Sequence, residues 1–258
     1  MNNIKQIEVI YDNRLVGRLA LTKEGLCAFE YLAEWLGSGF SISPFELPLK
    51  SGVFIAKPRP FEGGFGVFDD CLPDGWGLLI LDRYLQQKNI NPRTLTLLDR
   101  LALVGSTGRG ALEFRPDHSV VTRQDYVDFE KLALEAEQIL DSDDYTGKGI
   151  EEFQDRGGSP GGARPKIFVR YDNKEWLVKF RAKRDPQSIG IDEYRYSLLA
   201  KQCGIEMPET RLFEDKYFGV ERFDRTPNGK LHVVSMAGLI GADYRLPSID
   251  YILSLIHI

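Results

Sequence analysis

The chain opens on alternation of apolar and polar positions. Gln6-Ile-Glu-Val-Ile-Tyr11 and Leu15-Val-Gly-Arg-Leu-Ala-Leu21 repeat with period two about Asp12-Asn13, which predicts a half-buried hairpin. A third strand is expected from Leu26 to Leu32, followed from Pro44 to Phe68 by loops around short extended pieces, because prolines 48, 58 and 60 and glycines 63, 64 and 66 interrupt any longer element. After Pro73-Asp74 the spacing of Trp76, Leu79, Ile80, Tyr84 and Leu85 becomes helical, with Asp74 as the N-cap. A second helix is expected from Leu95 to Val104, capped by Thr94. Gly105-Ser-Thr-Gly-Arg-Gly110 ends it before a short strand from Ala111 to Phe114.

These elements predict an α+β first domain over residues 1–115. Residues 116–156 read as an acidic helical connector, with one amphipathic helix near Asp125 to Leu140 and a polar stretch at 141–147. The third part, 157–258, runs through a glycine-rich loop (157–162), a strand Lys166 to Arg170, a turn at Asp172-Asn173 and a strand Glu175 to Phe180. A helix Ile191 to Cys203 and further strands to Val234, one of them holding His232, complete it.

Composition narrows the chemistry. The 258 residues are 43% hydrophobic, enough for a buried core. No apolar run approaches the roughly 20 residues that span a bilayer, and the N-terminus enters a strand pattern directly, so no membrane association and a cytoplasmic location are expected. Cys27, Cys71 and Cys203 lack metal-site or disulfide spacing and are expected to be reduced and buried. With three histidines in all, 118, 232 and 257, a His-based metal centre has little material. The net charge of -5 opposes indiscriminate nucleic-acid binding, although Arg164, Lys166, Lys179, Arg181, Lys183 and Arg184 form a local basic group.

Three segments carry candidate chemistry. Gly157-Gly-Ser-Pro-Gly-Gly-Ala-Arg-Pro-Lys166 precedes a strand, where glycines let backbone N–H groups approach phosphate oxygens; it is not a Walker A loop, and a plain flexible turn is the competing reading. Lys179, in the apolar strand Trp176-Leu-Val-Lys-Phe180, follows Gly162 by 17 residues and can pair with nucleotide phosphates, held by Glu193 of the next helix. Val220-Glu-Arg-Phe-Asp-Arg225 is either a charged strand end or an adenine-binding hinge. Strand, turn, strand, helix, strands is an order similar to the small lobe of a protein kinase.

In this order, the glycine loop, the Val-Lys-Phe strand, Asp192-Glu-Tyr with the later Gly204-Ile-Glu-Met-Pro208, and Val-Glu-Arg-Phe-Asp-Arg resemble the HipA family of toxin kinases. Phe68-Asp-Asp-Cys-Leu-Pro-Asp-Gly-Trp-Gly77 extends the resemblance to the HipA N-terminal subdomain, and so to nearly the whole chain. The resemblance implies a HipA N-terminal subdomain followed by a protein-kinase-like small lobe, with the large lobe missing. It implies an ATP- and Mg2+-dependent serine/threonine kinase of a toxin-antitoxin system, restrained by a HipB-like DNA-binding antitoxin, with DNA met only through that antitoxin. Its substrate would be a protein, by resemblance an aminoacyl-tRNA synthetase. Carried over by position, Gly161, Gly162, Ala163, Arg164, Pro165 and Lys166 form the phosphate loop, Lys179 meets the phosphates, and Glu221, Arg222 and Phe223 form the adenine hinge. Ser159 matches the family's autophosphorylated serine, whose added charge would oppose a nucleotide and inactivate the enzyme.

The family's Asp-x-His-x-Lys-Asn catalytic loop and later metal-binding Asp do not occur in this sequence, so no catalytic or metal residue is assigned and the fragment is expected to be inactive as a kinase. Leu253-Ser-Leu-Ile-His-Ile258 matches the translation of a transposon end used in sequencing adapters, which predicts an artefactual truncation; an ordinary apolar tail is the alternative. Two other functions stay open: a short interaction module that binds a HipB-like antitoxin without catalysis, and a small-molecule kinase.

Overall fold

Among the described residues, alternation and turn chemistry build two large sheets, each in its own structural unit. A computed structural model describes residues 4–120, 127–142, 145, 147, 149–157 and 162–243. Its elements are β1 (Gln6–Tyr11), β2 (Arg14–Leu21), β3 (Cys27–Tyr31), α1 (Ala33–Ser38), β4 (Val53–Ile55), α2 (Gly66–Asp69), α3 (Gly75–Gln87), α4 (Leu97–Val104) and β5 (Leu112–Arg115). There follow α5 (Phe129–Asp141), α6 (Gly149–Gly157), β6 (Lys166–Tyr171), β7 (Lys174–Lys179), α7 (Ile189–Gln202), β8 (Thr210–Phe213), β9 (Tyr217–Glu221) and α8 (Met236–Ile240). The fold is mixed α and β. One unit takes the described residues of 1–72, 95–119 and 229–258, and the other those of 73–94 and 120–228. By this division α3 belongs with the later sheet, and the segment from Gly229 with the earlier one.

In the first unit a five-stranded antiparallel sheet has the order β4-β3-β2-β1-β5. Asp12 and Asn13 both take positive φ, 46° and 58°, the backbone that closes a two-residue hairpin with the twist of its strands. Ile7, Val9, Val16, Leu19 and Phe29 bury one face of the sheet with Phe68, Leu98, Leu101 and Phe114. Helix α4 begins two residues later than the sequence predicts. Pro92–Thr94 form a short 3-10 turn, and Thr96 is the cap, its hydroxyl accepting from Asp99 N–H at 3.2 Å while Asp99 Oδ2 accepts from Thr96 N–H at 2.9 Å.

The returning segment from Gly229 joins this unit through specific bonds. Lys230 Nζ donates to Glu113 Oε1 and to Ser106 O, both at 2.7 Å. Ser235 donates its N–H and hydroxyl to Asp70 at 2.6 and 2.8 Å and caps α8. A Cβ on Gly66 would lie 2.3 Å from Gly238 O, so the two backbones meet only because both are glycine. His232, expected in a strand, lies outside any strand, its ring Nε2 2.8 Å from Ile42 O. Burial pushes its pKa below the usual value.

The second unit has the four-stranded antiparallel order β6-β7-β9-β8. Two of its hairpins again use paired positive φ, at Asp172-Asn173 (50° and 59°) and Glu214-Asp215 (49° and 54°). Ile167, Val169, Trp176, Val178, Phe213 and Tyr217 bury one face against α3, α5 and α6 through Trp76, Ile80, Phe129, Leu132 and Phe153. Helix α6 is an element the sequence reading did not contain, because Ile150 and Phe153 are its only large apolar residues. Cys27 and Cys71 are buried as expected, which pushes both thiols up to about 12, but Cys203 is exposed. No helix among the described residues is long and apolar enough to cross a membrane.

Candidate functional site: the open face of the second sheet

Strand periodicity sends every second side chain of β6, β7 and β9 away from the core, and the register sorts these into rows. Lys166 pairs with Lys179, Phe168 with Leu177, and Arg170 with Glu175. Leu177 in turn pairs with Val220. The face therefore has a cationic end at Lys166 and Lys179, an apolar middle of Phe168, Leu177 and Val220, and a second polar end near Glu175 and Arg222.

At the cationic end Lys179 Nζ lies 2.8 Å from Glu193 Oε2 on α7 and 5.3 Å from the centre of the Phe218 ring. Both partners of the pair are about one-third exposed, at 33% and 32%, so the contact is reachable by solute. Lys166 is 3% exposed and donates to Gly162 O at 2.8 Å. Burial pushes its pKa down to about 8; Lys179 adds to the fall, while Asp74 and Glu193 oppose it. A cavity of about 580 Å³ adjoins this end, lined by Arg164, Lys179, Gln187, Glu193 and Phe218 among others.

The loop residues expected to bind phosphate have distinct places. Gly162 takes φ +98° and donates its N–H to Asp74 Oδ1 at 2.6 Å. Ala163 is exposed, and the exposed Arg164 pairs with the buried Asp185 at 2.6 Å. Buried Pro165 accepts from Phe180 N–H at 2.8 Å, which ties the loop to the end of β7. Gly161 and Ser159 lie outside the described residues. Within the basic group, Arg181 pairs with Glu137 and Lys183 with Asp141, each at 2.6 Å, so these cations and Arg164 and Lys179 all have carboxylate partners.

At the hinge, the three expected residues differ. The N–H groups of Glu221 and Arg222 serve the sheet, donating to Glu209 O and Glu175 O at 2.8 Å each. Glu221 holds Lys174 at 2.9 Å. The Arg222 side chain is buried: Nε and Nη2 bind the two oxygens of Asp224 at 3.0 and 2.8 Å, Nη1 meets Glu175 at 3.3 Å, and the guanidinium lies 4.0 Å from the Phe168 ring centre. Phe223 is 59% exposed. Gly162, Lys179 and Glu193 thus gather at one end of the face, and Arg222 walls the other.

Asp74 and Trp76 are site residues that sequence reasoning missed. Asp74 occupies the N-cap position of α3, but its side chain makes no cap bond and turns to Gly162 instead. Only the Leu-Pro-Asp-Gly-Trp motif marked the segment, without a role. Among the described residues no three His, Cys, Asp or Glu side chains cluster closely enough to hold a metal.

A family model described as the HipA N-terminal domain matches residues 7–115, and one described as the HipA-like C-terminal domain matches residues 158–257. No curated relative matches the chain. Among solved structures, the chain is similar to one from the complex of HipA, HipB and operator DNA of the toxin-antitoxin system of Shewanella oneidensis MR-1, with a TM-score of 0.60 at 20% identity. The match covers 95% of this chain and 60% of that one, so the chain spans 60% of that protein's length. At this identity the likeness is one of fold.

Proposed function

From the premise that the chain belongs to the HipA family, carrying its N-terminal and C-terminal domains in order, we propose that it forms the nucleotide-binding part of a toxin kinase. The observation that carries the reading is the graded open face: an apolar row of Phe168, Leu177 and Val220 beside the cross-strand pair Lys166 and Lys179. A purine can lie against the apolar row while its phosphates meet the two ammonium groups and the Gly162 end of the glycine loop. The Glu193 carboxylate orients Lys179 for this role, as a helix carboxylate does in a kinase small lobe. In this assignment Lys166, Lys179, Gly162, Ala163 and Arg164 are phosphate-side groups. Phe223 is the exposed hinge side chain, and Glu221 and Arg222 support the hinge through framework bonds.

The complete protein would move the terminal phosphoryl group of Mg-ATP to a serine or threonine hydroxyl of a protein, by family an aminoacyl-tRNA synthetase, with autophosphorylation at Ser159. The residues of this chain bind and orient the nucleotide; the base for the acceptor hydroxyl and the magnesium ligands would come from residues outside the described set. A HipB-like antitoxin is the proposed partner, supported by the family and by the HipA, HipB and DNA complex whose fold the chain shares.

Calorimetric titration of the 258-residue chain with ATP tests the reading. Saturable binding is expected, weakened about tenfold or more in Lys179→Met, because a hydrogen bond to a charged group contributes about 1.5–3 kcal/mol. Absence of binding at millimolar ATP, or equal affinity in Lys179→Met, would overturn it.

A further inference from the structure

Asp74, Gly75 and Trp76 have no place in the proposed phosphoryl transfer, yet they hold Gly162 at the end of the glycine loop. Both polar groups of the Gly162 peptide are occupied by the protein itself. Its N–H donates to Asp74 Oδ1 at 2.6 Å, and its carbonyl accepts from Trp76 N–H at 3.2 Å and from Lys166 Nζ at 2.8 Å. Gly75, at φ +45°, allows the approach: a Cβ there would lie 2.8 Å from the carbonyl carbon and oxygen of Gly162. Asp74 meanwhile leaves its own helix without a side-chain cap. An aspartate at an N-cap position usually serves the N–H groups of its helix, so its commitment to a loop N–H marks the loop as the stronger claim on that carboxylate.

We propose that Asp74 is a built-in stand-in for phosphate, occupying the Gly162 N–H donor beside Lys166 until a nucleotide displaces it. The Gly162 N–H that a phosphate would use is spent on Asp74, and the Lys166 ammonium on the Gly162 carbonyl. A polyphosphate arriving at Lys166 and Lys179 meets the Asp74 carboxylate as a like charge and must turn it away from Gly162. Asp74 thereby sets nucleotide affinity without contacting the bound phosphate. The inference rests on the nucleotide reading above and adds to it a regulator of the same site.

Calorimetry on the full chain with sodium tripolyphosphate, ATP and adenosine tests it, in wild type, Asp74→Asn and Asp74→Ser. Asn removes the charge and keeps an acceptor; Ser also shortens the side chain and can still cap α3. Removing a unit charge about 5 Å from a phosphate is expected to tighten tripolyphosphate and ATP about fourfold or more even at the dielectric of water, with adenosine unchanged. Wild-type-like or weaker polyphosphate binding by both folded variants would overturn the stand-in while leaving the nucleotide site intact. No binding of ATP or tripolyphosphate by any of the three proteins would overturn both. If the variants do not fold, the carboxyl carbon resonance of Asp74 in the wild type decides. It is expected to move on adding tripolyphosphate and to stay still with adenosine, and a resonance unmoved by bound tripolyphosphate refutes the displacement.

Discussion

Truncating Arg222 separates a framework role from a ligand-binding one. Its side chain is 6% exposed and that of Asp224 5%, and the two make a paired contact at 3.0 and 2.8 Å, with Glu175 and the Phe168 ring completing the enclosure. Removing one member of a buried ion pair costs about 3–5 kcal/mol, mainly because the other charge stays buried without its partner. Here Arg225 Nη1 also reaches Asp224 Oδ2 at 2.9 Å, so the carboxylate keeps one cation and the lower end, about 3 kcal/mol, is expected for Arg222→Ala. Arg222→Lys retains the charge but loses the planar fork and its stacking on Phe168, for an expected loss of about 1–2 kcal/mol. Urea unfolding followed by tryptophan fluorescence reports on the right region, since Trp76 and Trp176 are both core residues of this unit. With a slope of about 2–3 kcal/mol per molar urea, the midpoint for Arg222→Ala should fall by about 1–1.5 M. A loss below about 1 kcal/mol would place the network among ordinary surface ion pairs and refute the argument.

Two further outcomes follow from local geometry. Lys166, pushed down to about 8 from its usual 10.5, has lost its proton in the folded state between those values while the unfolded chain still holds it. Stability relative to Lys166→Met should therefore rise as pH rises from about 8 to 10.5, by about 3 kcal/mol in total, and stay at its penalised value below 8; a flat difference between the two proteins across that window would remove the buried charge from the account. Thr96→Ala should lower stability by about 1–2 kcal/mol through loss of the α4 cap, whereas Thr94→Ala should change it by less than about 0.5 kcal/mol; equal effects in thermal unfolding would return the cap to Thr94.

Local signals were read well where one short-range rule governs. The Asp12-Asn13 and Asp172-Asn173 hairpins follow from turn residues flanked by alternation, and the Lys179 to Glu193 pair follows from a strand lysine placed before an acidic helix. The helix after Thr94 was predicted correctly in kind, but two threonines lie within reach of its start, and only the reciprocal bond from Asp99 selects Thr96. Long-range partnerships were not legible. Arg222 looks like a solvent-facing or ligand-facing cation in Glu-Arg-Phe-Asp-Arg, and its burial depends on Phe168 and Glu175 of other strands. Asp74 has every local mark of a helix cap, and nothing near it in sequence announces a loop glycine 88 positions away. Helix α6, with two large apolar residues, is stabilised by packing against α3 and the sheet core and has too weak a pattern of its own to be recognised.

The interleaved route of the chain also sets an order of events during synthesis. Helix α3 emerges early, but Trp76 and Ile80 fill a core whose walls are Ile167, Val169, Trp176 and Val178. At about 5–20 residues per second, roughly 5–20 s pass before those strands leave the ribosome, and for that time an apolar helix face waits unfilled. The first sheet can close at β5, but Lys230 bonds to it, and Ser235 to Asp70 of the same unit, only after the whole second sheet has been made. A nascent chain of this kind presents adhesive surface for much of its translation, and its yield in a cell depends on elongation speed and on the chaperones that meet it as much as on the stability of the finished fold.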